Sequence, residues 1–292
     1  MGGSAVGLVV VTLLLGACGS SPASSSDTIN VVAGENFWAS IAAQLGGTKV
    51  SVQSIVTDPN ADPHEYESSA SNARAFAEAR LVILNGAGYD RWGQKLLDAS
   101  KSSSREVITV ANILGKKEGD NPHFWYDPGY VNRVADRITA QYKTIDATNA
   151  GYFDQRRSQL TDDMKSYLDE IATIKQKYAG TPIGSTESIF QYMAAALGLN
   201  LTTPADFMDA VAEGNDPPAS AVAEFQNQIA GNKIAVLVYN VQTVTAVTTN
   251  IKSLAAAHRI RSVGVSETLS PENLKFQDWQ LNQLRDLEAA LR

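Results

Sequence analysis

Cysteine is almost absent from this chain: Cys18 is the single one in 292 residues. A lone thiol closes no disulfide within the chain and cannot supply the paired thiolates of a Cys-rich metal site. Histidine is scarce as well, so any imidazole chemistry must come from His64, His123 or His258. No apolar run reaches the roughly 20 residues that a membrane-spanning helix requires. The run at residues 5–15 has the length of a signal-peptide core instead. Clustered Lys and Arg are missing too, and a formal net charge of −7 gives no footing for nucleic acid. There is no glycine loop for nucleotide phosphates and no Gly-x-Ser-x-Gly. His64-Glu65-Tyr66-Glu67-Ser68 lacks the second histidine of His-Glu-x-x-His. What is present is a chain with 44% hydrophobic residues, long enough to bury a large core.

The apolar run ends in Leu15-Gly16-Ala17-Cys18, a small-residue cleavage site followed by the cysteine. This resembles a bacterial lipobox, in which the cysteine is acylated after cleavage and becomes the first residue of the mature chain. Met1-Gly2-Gly3-Ser4 lacks the positive charges expected ahead of such a core. The Ser-rich stretch 19–26 reads as a flexible tether. The expectation is a signal peptide over 1–17 and a lipidated tether over 18–27. Lipid on Cys18 would then be the sole anchor, holding an exported protein to the outer face of the cell membrane.

Beyond the tether, short β-branched runs alternate with helical patterns, which predicts an α/β fold of parallel sheets flanked by helices. Strands are expected at 29–33, 50–56, 81–85 and 107–110, and helices at 37–45, 70–79, 89–99 and 131–142. From about 148 to 178 the pattern changes. Phe153, Leu160, Met164, Tyr167, Leu168, Ile171 and Ile174 recur at helical spacing with no proline between them. A helix of that length reads as a spine between two halves. After it, strands are expected at 183–185, 233–239 and 262–265, and helices at 188–197, 218–230, 244–258 and 272–291. The predicted organisation is an N-terminal α/β lobe over 28–147, a linking helix over 148–179 and a C-terminal α/β lobe over 180–292.

His64 and His123 share a context: each follows a proline, in Asp62-Pro63-His64-Glu65-Tyr66 and Asn121-Pro122-His123-Phe124-Trp125. Proline stiffens the approach of the chain, and a stiff loop suits a metal ligand. His258 lies late in a helical pattern beside Arg259, which suits a surface residue complementing the helix dipole. Glu187 and Glu267 each come directly after an expected strand, where open α/β sheets bind their ligands. Either could complete a metal site. By position alone Glu187 could equally be a helix-terminal acid, and Glu267 a solvated turn acid.

Taken together, these motifs resemble the zinc- and manganese-binding lipoproteins of bacterial ABC importers, the ZnuA-type and PsaA/TroA-type solute-binding proteins. The resemblance rests on the lipobox, Asn36-Phe37-Trp38, the two Pro-His motifs, the long helix, Ser185-Thr186-Glu187 and Glu213-Gly214-Asn215-Asp216-Pro217. It implies two α/β lobes joined by one long helix, with a single divalent ion, Zn2+ or Mn2+, held between them as cargo. It implies His64 and His123 as ligands from the first lobe and Glu187 at a third position where the family has His or Glu. The family's fourth ligand is usually Asp, and Glu267 stands where it aligns. It further implies a monomer that is not an enzyme and that delivers the ion to an ABC permease.

Two imidazoles and two carboxylates make a donor set of intermediate hardness for a divalent ion. Four protein donors leave little room for the activated water of a catalytic zinc site. No histidine lies between residues 112 and 121, where zinc-specific members often carry a His-rich loop. That absence, with Glu at the third position, tilts the expectation toward manganese, although zinc binds such donors more tightly. The competing expectations are a surface adhesin stabilised by metal and a zinc-dependent hydrolase.

Overall fold

The structure, a computed structural model, describes residues 1–3, 28–59 and 66–292. His64 and Cys18 therefore lie outside the described residues. Among those described, the chain builds two sheets of four parallel strands each.

The first sheet comprises β1 (Ile29–Glu35), β2 (Val50–Val56), β3 (Leu81–Leu84) and β4 (Glu106–Thr109), in the order β2-β1-β3-β4. Its helices are α1 (Asn36–Gly46), α2 (Ala70–Glu78), α3 (Arg91–Ala99), α4 (Val110–Leu114) and α5 (Pro128–Ile145). Parallel strands are covered on both faces, so they read as continuous apolar runs. Leu81-Val82-Ile83-Leu84 is buried at every position. Helix α5 begins earlier than the apolar period suggests. Asp127 caps it by accepting from the N–H groups of Gly129 and Tyr130, and Pro128 occupies the first turn, where its missing N–H is no loss.

The expected linking helix is present as a long helix bent at Met164, made of α6 (Ala150–Asp163) and α7 (Lys165–Tyr178). Hydrogen bonding continues across the bend: Met164 N–H donates to the Leu160 carbonyl at 3.0 Å, and Leu168 N–H to the Met164 carbonyl at 3.1 Å.

The second sheet repeats the pattern of the first. It comprises β5 (Pro182–Ser185), β6 (Asn200–Leu201), β7 (Val236–Asn240) and β8 (Arg261–Val265), in the order β6-β5-β7-β8. Around it lie α8 (Gln191–Ala196), α9 (Ala205–Ala212), α10 (Ala219–Ala230), α11 (Ala246–Ala257) and α12 (Phe276–Leu291). The expected helix over 188–197 opens instead as a single 3-10 turn at Ser188–Phe190.

Each sheet has an outer apolar layer of its own. Val32, Phe76, Val82 and Trp92 form that of the first, and Phe207, Phe225, Leu237 and Ile251 that of the second. The inner faces belong to one shared core that runs from Val31 and Ile83 through Trp125, Tyr167 and Phe190 to Val238 and Leu284. Aromatic rings carry it across the junction. Phe37 stacks on Trp125 at 4.0 Å, and Tyr126 packs edge-on against Phe190 and Trp279. The strand ends of both sheets are thereby held facing one another, and the candidate site lies there.

Candidate metal centre

His123 sits in the Asn121-Pro122-His123 loop, just ahead of a 3-10 turn whose Phe124, Trp125 and Tyr126 are all buried in the core. That anchorage leaves its own ring with no solvent exposure. Asn121 orients it: the side-chain oxygen lies 2.7 Å from His123 Nδ1 and also accepts from the His123 backbone N–H at 3.0 Å. An amide oxygen only accepts, so Nδ1 carries the proton and Nε2 presents its lone pair, the tautomer a metal ligand needs. The Asn121 amide nitrogen donates to the Ser188 carbonyl at 2.8 Å, next to Glu187. One asparagine thus ties the histidine of the first lobe to the glutamate loop of the second.

Glu187 follows β5 directly and is buried. Its carboxylate caps no helix. Asn240 Nδ2 donates to its Oε1 at 2.8 Å and the Thr243 hydroxyl to its Oε2 at 3.0 Å. Glu267 follows β8 and has no solvent exposure, which removes the reading as a solvated turn acid. Asn240 Nδ2 donates to its Oε1 at 2.7 Å, and the Tyr89 hydroxyl, from the first lobe, to its Oε2 at 2.7 Å. Gln242 accepts from the Glu267 backbone N–H at 2.6 Å.

His123, Glu187 and Glu267 each offer one ligand atom, and these atoms lie within 4.8 Å of one another. His123 Nε2 and Glu267 Oε2 are 3.9 Å apart. Asn240, Thr243 and Tyr89 are neutral donors that orient the two carboxylates. Two carboxylates buried side by side with an imidazole favour a cation held among them. The donor set fits a divalent transition ion.

Of the four ligands expected from sequence, the structure brings three together; His64 lies outside the described residues. The strand that leads to it, β2, ends at Val56, paired with Glu35 of β1 on the same sheet edge. His258, partly buried, stands at the C-terminal end of α11.

Tyr89, Asn121, Asn240 and Thr243 were not legible as site residues. Asn240 carries a signal that could have revealed it, since it ends β7 as Glu187 and Glu267 follow β5 and β8. Tyr89 is presented by a turn in which Gly86, Ala87 and Gly88 all have positive φ, at 77°, 55° and 87°. Such a run is unfavourable for the alanine. Asp90 holds it by accepting from the Asn85 and Gly86 N–H groups at 2.6 and 2.8 Å. Beside Asp90 lies Glu35, also buried. Burial first, and then the neighbouring Asp90 charge, push the Glu35 carboxyl well above the ordinary range. Burial raises Asp90 as well, against the pull of its two backbone donors.

A two-lobed α/β protein with a buried His and two Glu facing each other across the junction is an ion-binding protein. The family model described as zinc-uptake complex component A, periplasmic, matches residues 31–290, and the chain belongs to that family. It is 28% identical over 210 residues to the manganese ABC transporter substrate-binding lipoprotein PsaA of Streptococcus mitis, covering 66% of this chain and 67% of that one. To the manganese-binding lipoprotein MntA of Halalkalibacterium halodurans it is 24% identical over 205 residues, with the same coverage of 66% and 67%. In fold it matches a crystal structure of ZnuA with a TM-score of 0.74 at 19% identity, covering 91% of this chain and all of that one. It also matches the solute-binding protein FpvC of Pseudomonas aeruginosa in complex with Mn2+, with a TM-score of 0.75 at 15% identity over 90% of this chain and 98% of that one.

Proposed function

We propose that this chain is the extracytoplasmic metal-binding component of an ABC importer. It captures one divalent ion, Zn2+ or Mn2+, between its lobes and delivers it to a permease in the membrane. The ligands are His64, His123, Glu187 and Glu267, and the protein works as a monomer anchored by lipid on Cys18. The reading rests chiefly on the convergence of buried His123, Glu187 and Glu267 from the two lobes. Membership of a zinc-uptake family and the names of the manganese-binding relatives agree with it. They also agree with a role in transport rather than catalysis.

The test is titration of metal-stripped protein with Zn2+ and Mn2+ by calorimetry. One ion is expected to bind per chain. His64→Ala, His123→Ala and Glu187→Ala should each abolish tight binding while circular dichroism stays that of the parent. Unchanged affinity in these variants would refute the ligand assignment. Cys18→Ser should release the protein from the membrane fraction, and its continued retention there would count against the lipid anchor.

A further inference from the structure

The ligand carboxylates are clamped, and the clamp bears on which ion they prefer. Asn240 stands between Glu187 and Glu267. Its side-chain oxygen accepts from the Gln242 N–H at 2.9 Å, which turns the amide nitrogen toward the two acids. That nitrogen has two protons, and its two shortest contacts are Oε1 of Glu267 at 2.7 Å and Oε1 of Glu187 at 2.8 Å. One oxygen of each carboxylate is thus drawn to the same amide.

The second oxygen of Glu267 is the one that faces His123, 3.9 Å from Nε2, and Tyr89 donates to it at 2.7 Å. Asn240 belongs to the second lobe and Tyr89 to the first, so Glu267 is gripped from both sides of the cleft. Oε2 keeps a lone pair beyond its hydrogen bond, so the grip does not prevent coordination through that oxygen. It opposes rotation. Oε1 is directed at Asn240 and Oε2 at the His123 side. To chelate an ion beside His123 through both oxygens, Glu267 would therefore have to turn its plane away from one donor or the other. Hydrogen bonds to a charged acceptor in a buried site resist such a turn.

Resting on the metal-binding reading above, we propose that Tyr89 and Asn240 are positioning residues that set metal preference. They hold Glu267 to one metal-facing oxygen and thereby keep the centre at four protein donors. A four-donor site of nitrogen and oxygen suits tetrahedral zinc. Manganese, which favours more oxygen donors in octahedral array, loses the extra contact that a chelating glutamate would give it. The centre is in this view built for zinc, against the tilt toward manganese that the absence of a histidine-rich loop suggests.

Tyr89→Phe removes one hydroxyl and little else, which makes it the variant of choice. Metal-stripped full chain, parent and variant, would be titrated with Zn2+ and Mn2+ in competition. Each would also be loaded with Co2+, whose visible absorption is intense in a four-coordinate site and weak at higher coordination. The parent should give the intense spectrum. In Tyr89→Phe the band should weaken, and the Zn/Mn affinity ratio should fall, by at most the roughly ten- to hundredfold that losing a partner of a metal ligand takes from affinity. Asn240→Ala should move both readouts the same way. An unchanged spectrum and ratio in both variants would overturn the proposal. So would an equal loss of affinity for both ions with the spectrum intact, since that is what a merely structural role predicts. A parent chain that binds neither ion would instead overturn the metal-binding reading itself, a result visible before any variant is made.

Discussion

Glu35 shows how a single buried group can leave its mark on the whole protein. Its carboxyl lies against Asp90, with Glu267 adding a weaker repulsion, and burial is the largest reason its pKa is raised. The sign follows from linkage. A folded pKa above the ordinary value of 4.5 means that the folded state holds a proton the unfolded chain has released. The contribution to stability is complete below that value and is lost as pH rises through the raised folded value, at up to about 1.4 kcal/mol per pH unit. Glu35→Gln keeps the shape and removes the titration. The melting temperature of metal-free Glu35→Gln should therefore exceed that of the parent by more at pH 8 than at pH 5. Calorimetry at the two pH values checks this, and a difference that does not change with pH would refute the raised pKa of Glu35. Asn121 offers a second test at this scale. With Asn121→Ala the His123 ring loses the acceptor that fixes its tautomer. Metal affinity should fall roughly tenfold, and nitrogen NMR of the ring should show mixed tautomers in the metal-free protein. Neither Glu35 nor Asn121 could be assigned a role from sequence, because a buried acid and a loop amide become informative only when their neighbours are known. The Pro-His loop and the acids after β5 and β8 were legible, since local stiffness and strand position mark them without any tertiary information.

At the level of elements, the sequence announces structure most clearly where one period governs a long segment. The four strands of the first sheet, three of the second and the helix over 148–179 were foreseeable from their apolar runs and helical spacing. The two-residue β6 and the short α4 were not, since so few residues carry no period. The bend at Met164 has no proline to announce it, and α12 starts only at Phe276 where the pattern allows 272. Helix α12 ties the second lobe back to the bent helix in two ways that differ in strength. Lys275 pairs with Asp163 at 3.0 Å and Lys177 with Glu288 at 2.8 Å, both lysines being half exposed. Phe276, by contrast, is fully buried and packs edge-on against Tyr167 and Trp279. An exposed ion pair contributes no more than about 1 kcal/mol, whereas a large aromatic deleted from a core loses about 3–5 kcal/mol. Urea unfolding should place Lys275→Ala within about 1 kcal/mol of the parent and Phe276→Ala several times further away. Equal losses would mean that the ion pairs, not the packing, hold α12 in place.

For the molecule as a whole, the shared core decides how an ion can enter and leave. Domains that close around a ligand on a hinge usually meet through a thin polar interface. Here the inner faces of both sheets feed one apolar cluster, and the rings of Phe37, Trp125, Tyr126, Phe190 and Trp279 run through the junction. Opening the lobes like a clamshell would expose those rings and lose roughly 25 cal/mol for each Å2 of apolar surface wetted. It would also break the bonds from Tyr126 to the Ser266 carbonyl and from Asn36 to the Leu269 carbonyl, which cross from the first lobe to the second. Moving the loops at the cleft is less unfavourable, because it wets far less apolar surface than parting the two sheets. The expectation is that metal binding reorders loops and leaves the lobes where they are. Small-angle scattering of metal-free and metal-loaded protein should give superimposable profiles. Hydrogen exchange should slow on loading in 85–90, 121–123, 240–245 and 266–268, with α7 and α12 unchanged. A contraction of several Å in the radius of gyration, or new protection across α7, would show that the shared core opens after all.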